Sequence, residues 1–224
     1  MKTRIGIDFS LNSPGVCIEE GGKYQFITFF NYGNRIWGNS DKKTPKAFAV
    51  HEELMDDKAL WGFAYTRDVT SKDFLPRERQ KLKDAESIAS LIINIFTTWT
   101  QPGTDVEVAI EGFSYGSKGN SFIDMIQYNT FLRKALIDEY SIENLSIFQP
   151  SHVKKLAGKG NGNKHYMIKA FQDDVLNDKM LRDTKIWKWV QGKDFSEKIP
   201  KPLDDLVDAY FLVQCLKRAE EAKI

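Results

Sequence analysis

An α/β fold, with a mixed five-stranded sheet flanked by helices, follows from three patterns in the residue order. Apolar residues alternate with polar ones at the start of the chain, a helical stripe precedes a second alternating segment in its middle, and an amphipathic helix closes it.

Ile5, Ile7, Phe9 and Leu11 fall on one side of an extended segment from Arg4 to Leu11, with Gly6, Asp8 and Ser10 on the other. Asn12, Ser13, Pro14 and Gly15 form a turn. Val16 to Glu20, the Gly21-Gly22 turn and Tyr24 to Phe30 then complete a meander of three antiparallel strands. From Tyr32 to about Arg79 the pattern breaks into mixed polar and aromatic residues, read as an insertion with room for a short helix. Ile88, Leu91, Ile92, Ile95, Phe96 and Trp99 make the core-facing stripe of a helix from Asp84 to Trp99, stopped by Gln101-Pro102-Gly103.

Val106, Val108 and Ile110 alternate with Glu107, Ala109 and Glu111 in a fourth strand, and a helix from about Ser121 to Glu139 follows. Leu145 to Phe148 is a short fifth strand, Pro150-Ser151 opens another helix, Gly158 to Asn163 is a loop, and helical pattern resumes from Lys164 to Leu176. Asn177 to Pro202 is a second irregular region. Trp187 and Trp189 alternate there as on a strand or extended loop, available to stack on bases or to be buried. The chain closes with a helix from Leu203 to about Ala222.

The 224 residues, 42% of them hydrophobic, suit a single domain over 1–224 with insertions at about 32–79 and 177–202. No stretch approaches the roughly 20 apolar residues of a membrane span, and the first residues lack a signal-peptide core. The expectation is a soluble intracellular protein with no membrane partner, in the cytoplasm of a bacterial cell or a virus-infected host cell. Cys17 and Cys215 lie in apolar runs and read as small buried side chains. Net charge is only +1, yet no Asp or Glu occurs from Asn144 to Gln172, where Lys154, Lys155, Lys159, Lys164 and Lys169 fall. A local basic surface is expected in a neutral chain.

The candidate chemistry lies in acidic residues at positions that disfavour charge. Asp8 sits within an apolar strand, Glu111 ends another, and a carboxylate buried on a sheet costs several kcal/mol unless paired or bound to a cation. In the final helix Asp205 and Asp208 are three apart and Asp204 and Asp208 four apart, and either spacing places two carboxylates on one face. Asp204 and Asp205 alone could serve the positive end of the helix dipole, Asp8 alone a turn, and Glu111 alone a lysine. The combination is better explained by hard divalent cations, which choose carboxylate oxygen and support phosphodiester hydrolysis in pairs. His51, His152 and His165 are scattered, which leaves no zinc site.

Ile5-Gly6-Ile7-Asp8, Ile110-Glu111-Gly112-Phe113 and Asp205-Leu206-Val207-Asp208-Ala209 resemble, in order, the three acidic motifs of the RuvC-type Holliday junction resolvases of the RNase H-like superfamily. The segment from Pro150 to Lys164 resembles that family's helix bearing Val-Lys, its Gly-x-Gly loop and its following lysine, with the spacing about one residue shorter. The resemblance implies an RNase H-like fold, a Mg²⁺-dependent crossover-junction endodeoxyribonuclease, branched DNA as partner and a homodimer. It implies that Asp8, Glu111, Asp205 and Asp208 bind two Mg²⁺ ions, for which Mn²⁺ can substitute, with Asp204 as an extra acid able to assist.

Lys154 and Lys164 match DNA-contacting lysines, with Lys155 and Lys159 beside them, unless the segment is only a solvated charged face. Phe113 or Tyr115 lies close to where the family places an aromatic against the opened junction, although core packing is the better reading of Phe113. The same acids would also serve an RNase H-like nuclease cutting flaps or RNA-containing substrates. A nucleotide-binding ATPase would need a second lobe, and a silent DNA-binding module would not need the carboxylates.

Overall fold

Strand alternation sorts the residues of the sheet cleanly onto two faces. The computed structural model describes residues 1–31, 60–65, 67, 69, 71–100, 103–113, 119–182, 184–191 and 202–222. Their elements, in chain order, are β1 (Lys2–Asp8), β2 (Gly15–Glu20), β3 (Lys23–Asn31), β4 (Leu60–Tyr65), α1 (Phe74–Trp99), β5 (Asp105–Glu111), α2 (Asn120–Tyr140), β6 (Leu145–Phe148), α3 (Pro150–Leu156), α4 (Lys164–Asn177), α5 (Lys179–Arg182), α6 (Lys185–Val190) and α7 (Leu203–Glu221). The sheet order is β4-β3-β2-β1-β5-β6. β1, β2 and β3 pair antiparallel in sequence, whereas β5 joins β1 and β6 joins β5 in parallel. Three antiparallel strands continued by two parallel ones, with helices on both faces, form the RNase H-like fold.

The sheet has six strands rather than five. The additional strand, β4, pairs parallel with β3 inside the segment read as an insertion with a short helix. Its alternating Trp61, Phe63 and Tyr65 are a strand signal, weakened because Gly62 and Ala64 between them provide no polar face. Phe63 packs on Phe29 with ring centroids 5.8 Å apart, and Trp61 meets Trp99 edge-on at 5.0 Å. α1 also begins at Phe74, ten residues before the expected start at Asp84. Its first turns leave Phe74, Leu75 and Leu82 exposed, so no periodicity marks them. They are helical because Arg, Glu, Gln, Lys and Leu favour helix and Pro76 is tolerated in a first turn. Residues 32–59 lie outside the described part of the insertion.

The second irregular region carries α5 and α6, and the placement of Trp187 and Trp189 on a strand or extended loop is corrected to helix. Helices of four and six residues are too short to show a repeating face. Local caps define them instead: Asp178 Oδ1 accepts from the Met180 amide at 2.9 Å, and Thr184 Oγ1 from the Trp187 amide at 3.2 Å. Trp187 is buried in the core rather than presented to a base.

Ile5, Ile7, Val16, Ile18, Ile27, Phe29, Val108 and Ile110 face α1 and α2. The opposite face supplies Cys17, Tyr24, Phe26 and Ala109 to a second core formed with α4, α5, α6 and α7. Both cysteines are free and buried. Among the described residues no helix is long and apolar enough to cross a membrane.

α7 lies across β1 and β2 on this second face. Gly6 makes that approach possible: a Cβ added there would stand 2.1 Å from the Ala209 carbonyl oxygen and 3.0 Å from Leu212 Cβ. At the far end of the helix Glu220 meets Lys2 at 2.9 Å and also pairs with Arg4, which reaches Glu19 at 2.8 Å. We expect Gly6→Ala to destabilise the protein by about 1–3 kcal/mol or more, the usual cost of overpacking, because the obstructing atom is backbone. Urea denaturation measures it, and an unchanged midpoint would contradict this account of the helix–sheet contact.

Candidate active site

The two strand-end acids are neighbours. The parallel pairing that matches Ile7 with Ile110 sets Asp8 beside Glu111 one step further, on strands about 4.8 Å apart. Asp8 is the last residue of β1 rather than within the strand, because the chain turns directly after it. Period-two alternation puts Asp8 and Glu111 on the same face as Gly6 and Ala109, which is the face α7 covers.

The acidic first turns of α7 are delivered to those strand ends by a second close approach. Gly15 pairs with Asp8 across β1 and β2, and a Cβ on Gly15 would lie 2.5 Å from the Asp205 carbonyl carbon. Asp204 and Asp205 are both buried, and Asp208, one turn on, is half-buried. Ser13 Oγ donates to Asp205 Oδ2 at 2.7 Å, and Lys164 from the start of α4 ion-pairs with Asp204 Oδ2.

Electrostatics tie the cluster together. Burial pushes the Glu111 carboxyl up to about 6, with Lys154 and Lys164 opposing the rise and Asp205 adding to it. Burial pushes Asp208 to about 7, reinforced by the negative charges of Glu111, Asp205 and, last in size, Asp204, and opposed by Lys164. Strand acids, helix acids and two lysines therefore share one region.

As a donor set, Asp8, Glu111, Asp205 and Asp208 offer only carboxylate oxygen, which suits Mg²⁺ or Mn²⁺ and not a softer ion. Among the described residues no three His, Cys, Asp or Glu side chains close into a preformed metal cage. The fit is one of donor chemistry and of charge: burial first, and then the negative charge of neighbouring carboxylates, raises Glu111 and Asp208, the kind of strain on carboxylates that a divalent cation relieves.

The remaining predicted residues divide. Lys154 is half-buried on α3, while Lys155, Lys159 and Lys164 are exposed along α3, the following loop and the start of α4. The glycine-rich loop is shaped from within, since the amides of Gly158, Lys159 and Gly162 bond to the carbonyls of Lys155, Lys154 and Lys159. Gly158 has a φ of +113°, and a Cβ there would meet the Tyr166 hydroxyl at 2.5 Å. Its glycines thus serve the fold, in addition to any ligand.

Phe113 is half-buried, edge-on to Phe122 at 6.1 Å and under the Arg133 guanidinium at 4.5 Å. Tyr115 lies outside the described residues. Sequence reasoning missed Ser13, which it read only as part of a turn, and Arg133, which also donates to the Glu111 carbonyl at 3.2 Å. Neither carries a local signal, because both act across long separations in the chain.

No protein-family profile and no curated protein sequence matches this chain. Among solved structures it is similar to a Thermus thermophilus RuvC structure, with a TM-score of 0.49 and 13% identity over 97% of this chain and 96% of that one. It is also similar to T. thermophilus RuvC in complex with Holliday junction substrate, with a TM-score of 0.48 and 10% identity over 98% and 96%. Strand order and pairing direction define the fold independently of these overlaps.

Because Glu111 and Asp208 hold protons more tightly folded than unfolded, their contribution to stability is complete below the ordinary carboxylate range. It is lost as pH rises through about 6 and about 7. In EDTA, Asp208→Asn should therefore flatten the fall in Tm between pH 5 and pH 8 and melt above the wild type at pH 8. Each kcal/mol recovered shows as about 2–4 °C in a chain of this size. Superimposable pH profiles of the two proteins would refute the assignment of a raised Asp208.

Proposed function

We propose that the protein is a metal-dependent, structure-specific DNA endonuclease that hydrolyses phosphodiesters in branched DNA, with the Holliday junction as its first substrate, and that it acts as a homodimer. The observation that carries this reading is the convergence of Asp8 and Glu111, side by side at parallel strand ends, with Asp205 and Asp208 brought over them by α7.

In this reading Asp8, Glu111, Asp205 and Asp208 hold two Mg²⁺ ions, for which Mn²⁺ can substitute. When bound, such ions lower the pKa of the attacking water and neutralise the leaving oxygen. The chain's own part is to fix the carboxylates on rigid elements and to bury them, which strengthens each charge they present. Lys154 and Lys164 both act on Glu111, and Lys164 also on Asp208, so a phosphate approaching these carboxylates would be met by ammonium groups. Lys155 and Lys159 continue the basic surface along the DNA. Phe113, held between Phe122 and Arg133, flanks the strand end that carries Glu111.

Incubation with a four-way junction, with and without Mg²⁺, tests the reading. Two symmetric incisions in the junction, in preference to a plain duplex of the same sequence, are expected from a protein that sediments as a dimer. Asp8→Asn and Glu111→Gln should each remove cleavage while retaining junction binding in a gel shift, since each deletes ligand charge and preserves shape. A monomer that cuts one strand of a flap or an RNA-containing duplex would replace the junction as substrate, and loss of binding in both variants would count against a ligand role.

The lysines make a separate expectation. Lys154→Ala and Lys164→Ala should weaken junction binding, each lowering the slope of log K against log salt by roughly one unit. An unchanged slope would return them to a solvated face.

A further inference from the structure

Given that Asp205 is a cation ligand, as the proposed function holds, we propose that Ser13 is its positioning residue: the turn between β1 and β2 holds the Asp205 carboxylate by a hydrogen bond and the Asp205 backbone by direct contact. The bond from Ser13 Oγ to Asp205 Oδ2 is 2.7 Å, the length of a charge-assisted contact, and joins residues 192 positions apart. Ser13 is 6% exposed and Asp205 3%, so water does not compete for it.

The hydroxyl is itself held in place. The Ser13 amide donates to Ser10 Oγ at 3.1 Å, and the two hydroxyl oxygens lie 3.5 Å apart. The turn is tied to its neighbours by the Phe29 amide to the Pro14 carbonyl at 3.0 Å, the Asn31 amide to the Asn12 carbonyl at 3.2 Å and the Tyr65 hydroxyl to the Leu11 carbonyl at 2.6 Å. Two residues after Ser13, Gly15 admits the Asp205 backbone at a distance no side chain would allow.

These restraints are of different kinds and have different effects. Backbone contact at Gly15 sets the height of the helix over the sheet but leaves the terminal torsion of an aspartate, a broad and weakly preferring rotor, undetermined. The Ser13 bond restrains that torsion by engaging Oδ2. An outer donor that orients a carboxylate ligand is a recurrent need of cation sites, and its removal costs about 10–100-fold in affinity or activity.

The test is calorimetric titration of the full-length chain with Mn²⁺ in the absence of DNA, accompanied by Tm in EDTA. Ser13→Ala is expected to bind Mn²⁺ about 10–100-fold more weakly than wild type. In an Asp205→Asn background the same substitution should make no further difference, because the hydroxyl acts through that carboxylate. Should Ser13→Ala fail to fold, Ser13→Cys, close in size and a much weaker donor, is expected to show the same weakening. Wild-type affinity in the serine variant, or an equal loss in the Asp205→Asn background, would overturn the proposal and leave the nuclease reading standing. A wild-type chain that takes up no Mn²⁺ and cuts no DNA would overturn both.

Discussion

Backbone contact between α7 and the first two strands is the constraint on which the rest of the structure depends. A helix normally stands about 10 Å from a sheet because side chains fill the space between. Here Gly6 and Gly15 remove those side chains where the helix crosses, and Ala209 and Asp205 drop to the sheet backbone. Acidic side chains one and two turns into the helix thereby reach the ends of β1 and β5. The other end of the helix is fixed by Lys2 and Arg4 with Glu19, Glu107 and Glu220, a network that runs from buried Glu19 out to part-exposed Glu220 and whose value lies in register more than in net stability. Helix position is thus set by steric contact at one end and by charge pairing at the other.

The two ends treat their acids differently. At the C-terminal end of α7, carboxylates lie against Arg4 and Lys2, and hydrogen bonds from both cations hold Glu220 below the usual carboxylate range. At the N-terminal end, burial and the neighbouring carboxylates push Glu111 and Asp208 upward in spite of Lys154 and Lys164. A fold gains nothing in stability from such an arrangement in isolation. It is the electrostatic form expected where a bound cation completes the site, because ligand deprotonation and cation uptake are then one linked step.

Much of this was legible in the sequence, for identifiable reasons. Period-two alternation assigns Asp8 and Glu111 to the opposite face from Ile7 and Ile110, so the strands and their two acids could be read directly. β4 was missed although Trp61, Phe63 and Tyr65 alternate, because Gly62 and Ala64 between them supply no polar face, and the first turns of α1 were missed because their apolar residues are exposed. α5 and α6 are too short to display a helical period. Ser13 and Arg133 escaped for a different reason: their roles consist of contacts to Asp205 and to the Glu111 carbonyl and Phe113, which have no local trace.

The sequence left two spacings open on the final helix, Asp205 with Asp208 or Asp204 with Asp208, and the structure separates them. Adjacent residues on a helix point about 100° apart, so Asp204 and Asp205 cannot serve the same direction. Asp205 is turned toward β1 and β2, where Ser13 receives it, while Asp204 is turned toward α4, where Lys164 receives it. The influences on Asp208 rank in the same order, with Glu111 and Asp205 ahead of Asp204. The pair three residues apart therefore faces the strand acids. Asp204 instead joins the acidic helix to the start of α4, and by holding Lys164 it sets an ammonium group of the basic segment beside the carboxylates. The basic segment and the acidic cluster adjoin through this ion pair, whose carboxylate stands on α7 and whose ammonium group stands at the start of α4.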